Sequence, residues 1–271
     1  MVERMGEGMA GAMAAATPAA TPVLAVIGGS GFYALQAETP PVTLHIKTPF
    51  AETPLALSHY LTPHGSVLFL PRHGADHSIA PHLINYRANV WALHAAGASA
   101  VLAVNAVGGI SAAMSPGTLV LPEQLIDYSW GREHTFCTGA HALDKHVDFT
   151  WPYDRQLIAV LEQAGAKLGH TLLTGATYAC TQGPRLETAA EVRKLGRDGC
   201  DIVGMTGMPE AGLARELGLR YACVALVVNE AAGLGEGEIT MQSIETILGQ
   251  GMDKVRALLQ QALPAVFTAL S

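Results

Sequence analysis

A chain of 271 residues that is 49% hydrophobic can bury a large core, and α/β folds longer than roughly 200 residues commonly stay one domain. A formal charge of −7, with 16 Lys and Arg in no run, excludes the clustered cations that carry nucleic-acid affinity, and no apolar stretch nears the ~18 residues that span a bilayer. The four cysteines, Cys137, Cys180, Cys200 and Cys223, lack CxxC spacing, which favours reduced thiols over disulfides or zinc ligands and a cytoplasmic location.

Residues 1–21 read as a disordered tail, because Glu3 and Glu7 outweigh Arg4 and Gly11 interrupts the apolar run that a secretory signal needs. Residues 22–271 then form one domain. Its first apolar run, Val23 to Ile27, ends in Gly28-Gly29-Ser30-Gly31, where backbone N–H groups can approach an anion and Ser30 adds a hydroxyl. Phe32-Tyr33-Ala34 does not continue a dinucleotide fingerprint.

The second run, Val67 to Pro71, ends at Arg72 and His73, a planar fork and a ring donor suited to phosphate oxygens. A plainer reading is a solvated polar loop. His73, Asp76, His77 and His82 raise the question of a metal, but Gly74 and Pro81 disfavour the helix that such spacing requires, and Arg72 is a poor neighbour for a cation. No metal is expected. A helix over Asn85 to Ala96 stops at Gly97 and leads into Ala100 to Val107, with Asn105 and Ala106 at its polar end.

A further helix is expected over Asp154 to Leu168. Thr177 to Cys180 forms a strand leading to Thr181-Gln182-Gly183-Pro184-Arg185, after which Glu187 opens a helix. Thr206 stands between a strand and a short helix over Met208 to Glu216, able to cap that helix or bind phosphate, with Pro209 in the first turn. The last run, Tyr221 to Asn229, precedes a helix over Ile239 to Leu263. Near-continuous apolar runs suit strands buried on both faces. The expected fold is therefore α/β: a central mixed, largely parallel sheet flanked by helices, with ligands at the carboxyl ends of its strands.

Glu187 and Asn229 fit a 6-oxopurine, the carboxylate accepting from N1–H and the carboxamide donating toward N7 or O6, while Met205 and Thr206 lie under sugar and phosphate. Adenine would set a bare N1 lone pair against the same carboxylate. Glu187 could instead serve only the helix dipole. Ile239, Met241 and Ile244 would suit an apolar 5′ substituent, or would simply be helix core.

In order, GGSG, PRHG, NYRANVWAL, VNAVGGI, TQGPRLETAAE, DIVGMTGMPEA and VVNEAAG resemble the trimeric purine nucleoside phosphorylases, in the branch acting on 5′-methylthio nucleosides, from about Val23 to the C-terminal helix. The resemblance implies phosphate against Ser30, Arg72, His73, Asn105, Ala106 and Thr206, with His73 orienting it. Met205, Ala231 and Met241 would line the nucleoside site beside Glu187 and Asn229. His146, in HVDFTWPY, would reach a neighbouring subunit's site in a homotrimer. Where the methylthioadenosine enzymes carry an aspartate pair this chain has Asn229 and Ala231, and Val104-Asn105-Ala106 replaces their TTA. The implied reaction is phosphorolysis of a 5′-methylthio-6-oxopurine nucleoside to hypoxanthine and 5-methylthioribose 1-phosphate, in purine salvage, without metal or organic cofactor. Inosine, guanosine and 5′-methylthioadenosine are alternative substrates. Two other classes remain: a nucleotide-dependent oxidoreductase, disfavoured by Arg72 where an acidic ribose partner would stand, and a nucleoside-binding protein that releases no base.

Overall fold

Each apolar run becomes a strand, and polar half-buried strands extend the sheet beyond them. The computed structural model describes residues 22–36, 39–138 and 146–271; the expected tail over residues 1–21 lies outside the described residues. In chain order the strands are β1 (Val23–Gly28), β2 (Val42–Thr48), β3 (Ala51–Thr62), β4 (Gly65–Pro71), β5 (Ala98–Gly109), β6 (Leu119–Asp127), β7 (Leu172–Cys180), β8 (Ile202–Gly204) and β9 (Arg220–Glu230). The helices are α1 (Tyr86–Ala95), α2 (Arg155–Lys167), α3 (Ala189–Arg197), α4 (Glu210–Glu216) and α5 (Met241–Leu270).

The strands form one 9-stranded sheet in the order β2-β3-β4-β1-β5-β8-β7-β6-β9, and β9 pairs back onto β5. The second half thus closes on itself, a feature that apolar runs alone do not disclose. Pairs β1–β4, β1–β5, β5–β9, β6–β7 and β7–β8 are parallel, while β2–β3, β3–β4, β5–β8 and β6–β9 are antiparallel. The expected mixed, largely parallel α/β sheet holds. β1, β5 and β9 lie at its centre, and residues such as Leu24, Ile27, Leu102 and Val224 are almost wholly buried.

The β5–β9 ladder slips once. Val107 pairs with Val227 but Gly108 pairs with Asn229, so Val228 is an extra residue in β9. Such a bulge re-aims the residues that follow it.

Several helix starts differ from expectation. α1 is capped by Asn85, whose side chain accepts from Ala88 N–H, and α2 by Asp154, which accepts from Leu157 N–H. α3 begins after Thr188, with a reciprocal capping box between Thr188 and Glu191. Glu187 therefore precedes the cap and does not open the helix. Pro209 is itself the N-cap of α4, without a side-chain capping bond, so Thr206 does not cap that helix. α5 starts at Met241 and continues through Pro264 to Leu270, past the expected end.

Candidate active site

At the carboxyl ends of β1, β4, β5 and β9, beside the end of β8, lies a cavity of about 550 Å³. Ser30, Arg72, His73, Asn105, Ala106, Glu187, Met205, Thr206, Asn229, Ala231 and Met241 all contribute to its wall. His146 does not; its side chain is exposed. The bulge explains why both Val228 and Asn229, consecutive in a strand whose side chains would otherwise alternate, reach the cavity.

At one end the polar groups are tightly interlocked. Arg72 is 1% exposed, and its Nε and Nη2 form a two-point ion pair with Glu210 at 2.7 and 2.8 Å. Nη1 donates to the Val104 carbonyl at 2.9 Å. The planar fork expected to face phosphate thus already faces a carboxylate. Burial alone would lower the Arg72 pKa, but Glu210 more than offsets it and holds the guanidinium firmly charged. Tyr221 donates its hydroxyl to Glu210 at 2.8 Å. Arg72 contributes its charge to the cavity wall, and a Cβ on Gly29 would lie 2.9 Å from Nη1 and 2.5 Å from the Val104 carbonyl oxygen, so only glycine allows the loop after β1 to approach so closely.

Asn105 is likewise occupied. Its Oδ1 lies 3.4 Å from Arg72 Nη2, and its Nδ2 donates to Thr206 Oγ1 at 2.8 Å. Because Thr206 Oγ1 accepts there, its own proton is free to point at an anion. Asn105 thus supports Thr206 from behind the wall. His73 donates Nδ1–H to the Ile79 carbonyl at 2.8 Å, which leaves Nε2 as an acceptor. Burial, with Arg72 and His77 acting in the same direction, pushes the imidazole down to about 4, so the ring is neutral at physiological pH. A neutral His73 can accept a hydrogen bond from the P–OH of hydrogen phosphate; it is not a second cation beside Arg72.

The other end suits a heterocycle. Thr181 Oγ1–H donates to Glu187 Oε1 at 2.6 Å, fixing the half-buried carboxylate and leaving Oε2 to accept. Asn229 donates one amide hydrogen to the Glu230 carbonyl at 2.6 Å. Its second hydrogen and its oxygen remain for a ligand. Ile239, Ile244 and Leu248 add an apolar wall where α5 begins.

Two supporting residues escaped the sequence reading. Glu210 sits in the quoted DIVGMTGMPEA stretch, but an acidic residue in a first helical turn ordinarily signals only the dipole. Arg132 is 9% exposed and donates to the carbonyls of Thr181, Gln182 and Met208. It thereby ties the segment leading to Glu187 to the segment entering α4. Only its position in Trp130-Gly131-Arg132, between turn residues, hinted at a structural role. Among the described residues no group of three or more His, Cys, Asp or Glu is arranged to hold a metal ion.

The family model described as "Phosphorylase superfamily" matches residues 23–264. A probable S-methyl-5′-thioinosine phosphorylase of Pseudomonas syringae pv. tomato is 50% identical over 245 residues, covering 90% of this chain and 99% of that protein. The 6-oxopurine nucleoside phosphorylase of Pyrococcus furiosus is 40% identical over 248 residues, covering 90% of this chain and 92% of that protein. Among solved structures, methylthioadenosine phosphorylase from Schistosoma mansoni in complex with adenine is similar with a TM-score of 0.85 at 30% identity, covering 92% of this chain and 93% of that one.

Proposed function

The chain belongs to the phosphorylase superfamily, and from that premise we propose that it cleaves S-methyl-5′-thioinosine with phosphate, giving hypoxanthine and 5-methylthioribose 1-phosphate. The observation that carries this reading is Glu187, whose Oε1 is held by Thr181 while Oε2 is left to accept, in the same cavity as Asn229 and Thr206. Hypoxanthine presents N1–H to that acceptor. Adenine presents a lone pair, and an unmatched buried acceptor costs roughly 1–3 kcal/mol, more when charged.

In the reaction, the glycosidic bond stretches, the pentose ring gains positive charge and the purine negative charge. Asn229 donates its remaining N–H to the base as charge develops there, the kind of prearranged donor that often contributes most to catalysis. Phosphate binds between Ser30, Thr206, the Ala106 backbone and Arg72, with His73 Nε2 accepting a hydrogen bond from its P–OH and so orienting it. A phosphate oxygen attacks C1′ as the C1′–N9 bond breaks, and the electron pair leaves with the base. Met205 packs under the pentose. The apolar wall from Ile239 to Leu248, with Ala231 and Met241, favours a methylthio group over a hydroxyl that would need a partner. A homotrimeric cytoplasmic enzyme, in which His146 reaches a neighbour's cavity, completes the proposal; His146 stands exposed beside Val147, a large apolar side chain that is 38% exposed.

The test is base release from 5′-methylthioinosine, 5′-methylthioadenosine and inosine, each with and without phosphate, across a dilution series of the protein. Phosphate-dependent hypoxanthine release with methylthioinosine preferred is expected, with specific activity falling as the assembly dissociates. Dominant adenine release would defeat the 6-oxo assignment, and dominant inosine cleavage would defeat the apolar 5′ pocket.

A further inference from the structure

Among the described residues, His77 is the one non-glycine residue with a left-handed backbone, at φ 56°. It sits at the rim of the cavity, in the loop between β4 and the 3-10 turn Pro81–Leu83. Three backbone bonds fold this loop over: Gly74 N–H to Pro71, His77 N–H to Gly74 and Ile79 N–H to His73. A glycine would hold that conformation without the steric conflict that a Cβ brings. Instead the position carries an imidazole, and a residue kept in an unfavourable conformation beside a cavity points to a use for its side chain.

The surroundings indicate that use. The His77 ring centroid is 4.7 Å from that of His73 and 5.5 Å from that of Tyr33, which meets it edge-on. Its Nε2 lies 3.4 Å from Ser30 Oγ, the long limit of a hydrogen bond across 47 residues of chain. That loose contact bridges the two loops from which Ser30 and His73 reach the cavity. Hydrogen phosphate carries one proton and otherwise needs donors on its oxygens. His73, with Nδ1–H held by Ile79, can only accept. His77, on the rim side of His73, stands where it can add a donor beside that acceptor.

We propose that His77 is a phosphate-contacting residue of this centre, exchanging its loose contact with Ser30 for a hydrogen bond from Nε2–H to the bound anion. The inference rests on the reading of the site as a phosphorylase centre. His73 and His77 then divide the work: one accepts a hydrogen bond from the P–OH and the other donates to a charged oxygen, so the anion is held in one orientation at the rim.

The experiment compares the parent enzyme with His77→Gly and His77→Asn, measuring Tm and the KM for phosphate and for nucleoside separately. His77→Gly relieves the backbone while deleting the donor, so Tm should hold or rise as the phosphate KM increases about tenfold, the scale of one charge-assisted hydrogen bond, with nucleoside KM little changed. His77→Asn, which tolerates the same backbone and keeps an N–H, should fall between. A phosphate KM for His77→Gly within about twofold of the parent would overturn the assignment, and a lowered Tm would overturn the strain argument behind it. A parent enzyme whose base release ignores phosphate would instead overturn the reading of the whole site.

Discussion

In the proposed reaction, Glu187 carries the choice of base through one oxygen. Thr181 holds Oε1, so a Glu187→Gln change replaces the free acceptor by a group that can turn either its oxygen or its amide hydrogens to the ligand. Turnover of 6-oxo nucleosides should fall at least about tenfold in kcat/KM, and the preference for methylthioinosine over methylthioadenosine should narrow, because the amide can donate to adenine N1. Parallel kcat/KM measurements on the two nucleosides check this; an unchanged ratio would assign Glu187 to the fold alone. The carboxylate and the carboxamide were legible as a pair because Glu187 follows a Gly-Pro turn and Asn229 ends an apolar run, places where polar side chains meet a ligand more readily than a core. The occupied state of Arg72 was not legible. Its sequence neighbourhood reads as a phosphate fork, whereas its partner Glu210 is 138 residues away and only the fold brings them together.

At the scale of elements, α4 anchors the polar centre of the sheet. Glu210, in its first turn, joins Arg72 after β4 to Tyr221 in β9. Removing one partner of a buried pair leaves the other charge unmatched, so Glu210→Ala should cost about 3–5 kcal/mol of stability. Tyr221→Phe, which removes one donor to that carboxylate and keeps the ring, should cost less, about 1.5–3 kcal/mol. Denaturant unfolding of both variants tests the order; equal losses would mean that packing, not charge, dominates there. Legibility varied among elements for a physical reason. β1, β4, β5 and β9 are buried along most of their length and read as continuous apolar runs. β2 has no buried residue and β3 few, so a search for such runs passes over them, although Val42, Leu44 and Ile46 alternate with Thr43, His45 and Lys47 as a half-covered strand should. β8, the strand expected just before Thr206, has 3 residues, too few to show a period of its own.

For the whole molecule, buried titratable groups set the acid limit. An unfolded histidine takes up its proton near pH 6.5, whereas burial holds folded His73 neutral down to about 4. Between those values the unfolded chain binds more protons, so stability must fall as pH drops through that window. Glu191, exposed and held down to about 2 by hydrogen bonds from Arg185 and the Thr188 backbone, adds only a small, solvent-screened loss below pH 4.5. Tm measured from pH 7 to pH 4 should therefore decline, and His73→Asn should flatten the part above pH 4.5. An equally steep decline in that variant would place the acid sensitivity elsewhere. That the sheet closes through β5 and β9 could not be read from the sequence, because which distant strands become neighbours is decided by packing across the core and leaves no periodic mark on either strand.

The extra residue Val228 in β9 bears on how such a site could diversify. Substitutions at Asn229 or Ala231 change what the wall presents but keep the phase in which successive residues turn toward the ligand. Adding or deleting one residue between Val227 and Ala231 would change that phase, bringing different side chains onto the base in a single step. Length variation at this end of β9, beside exchange of residue type, gives the same scaffold a way to present a different wall, and libraries built to redirect it should vary the length of the strand end as well as its composition.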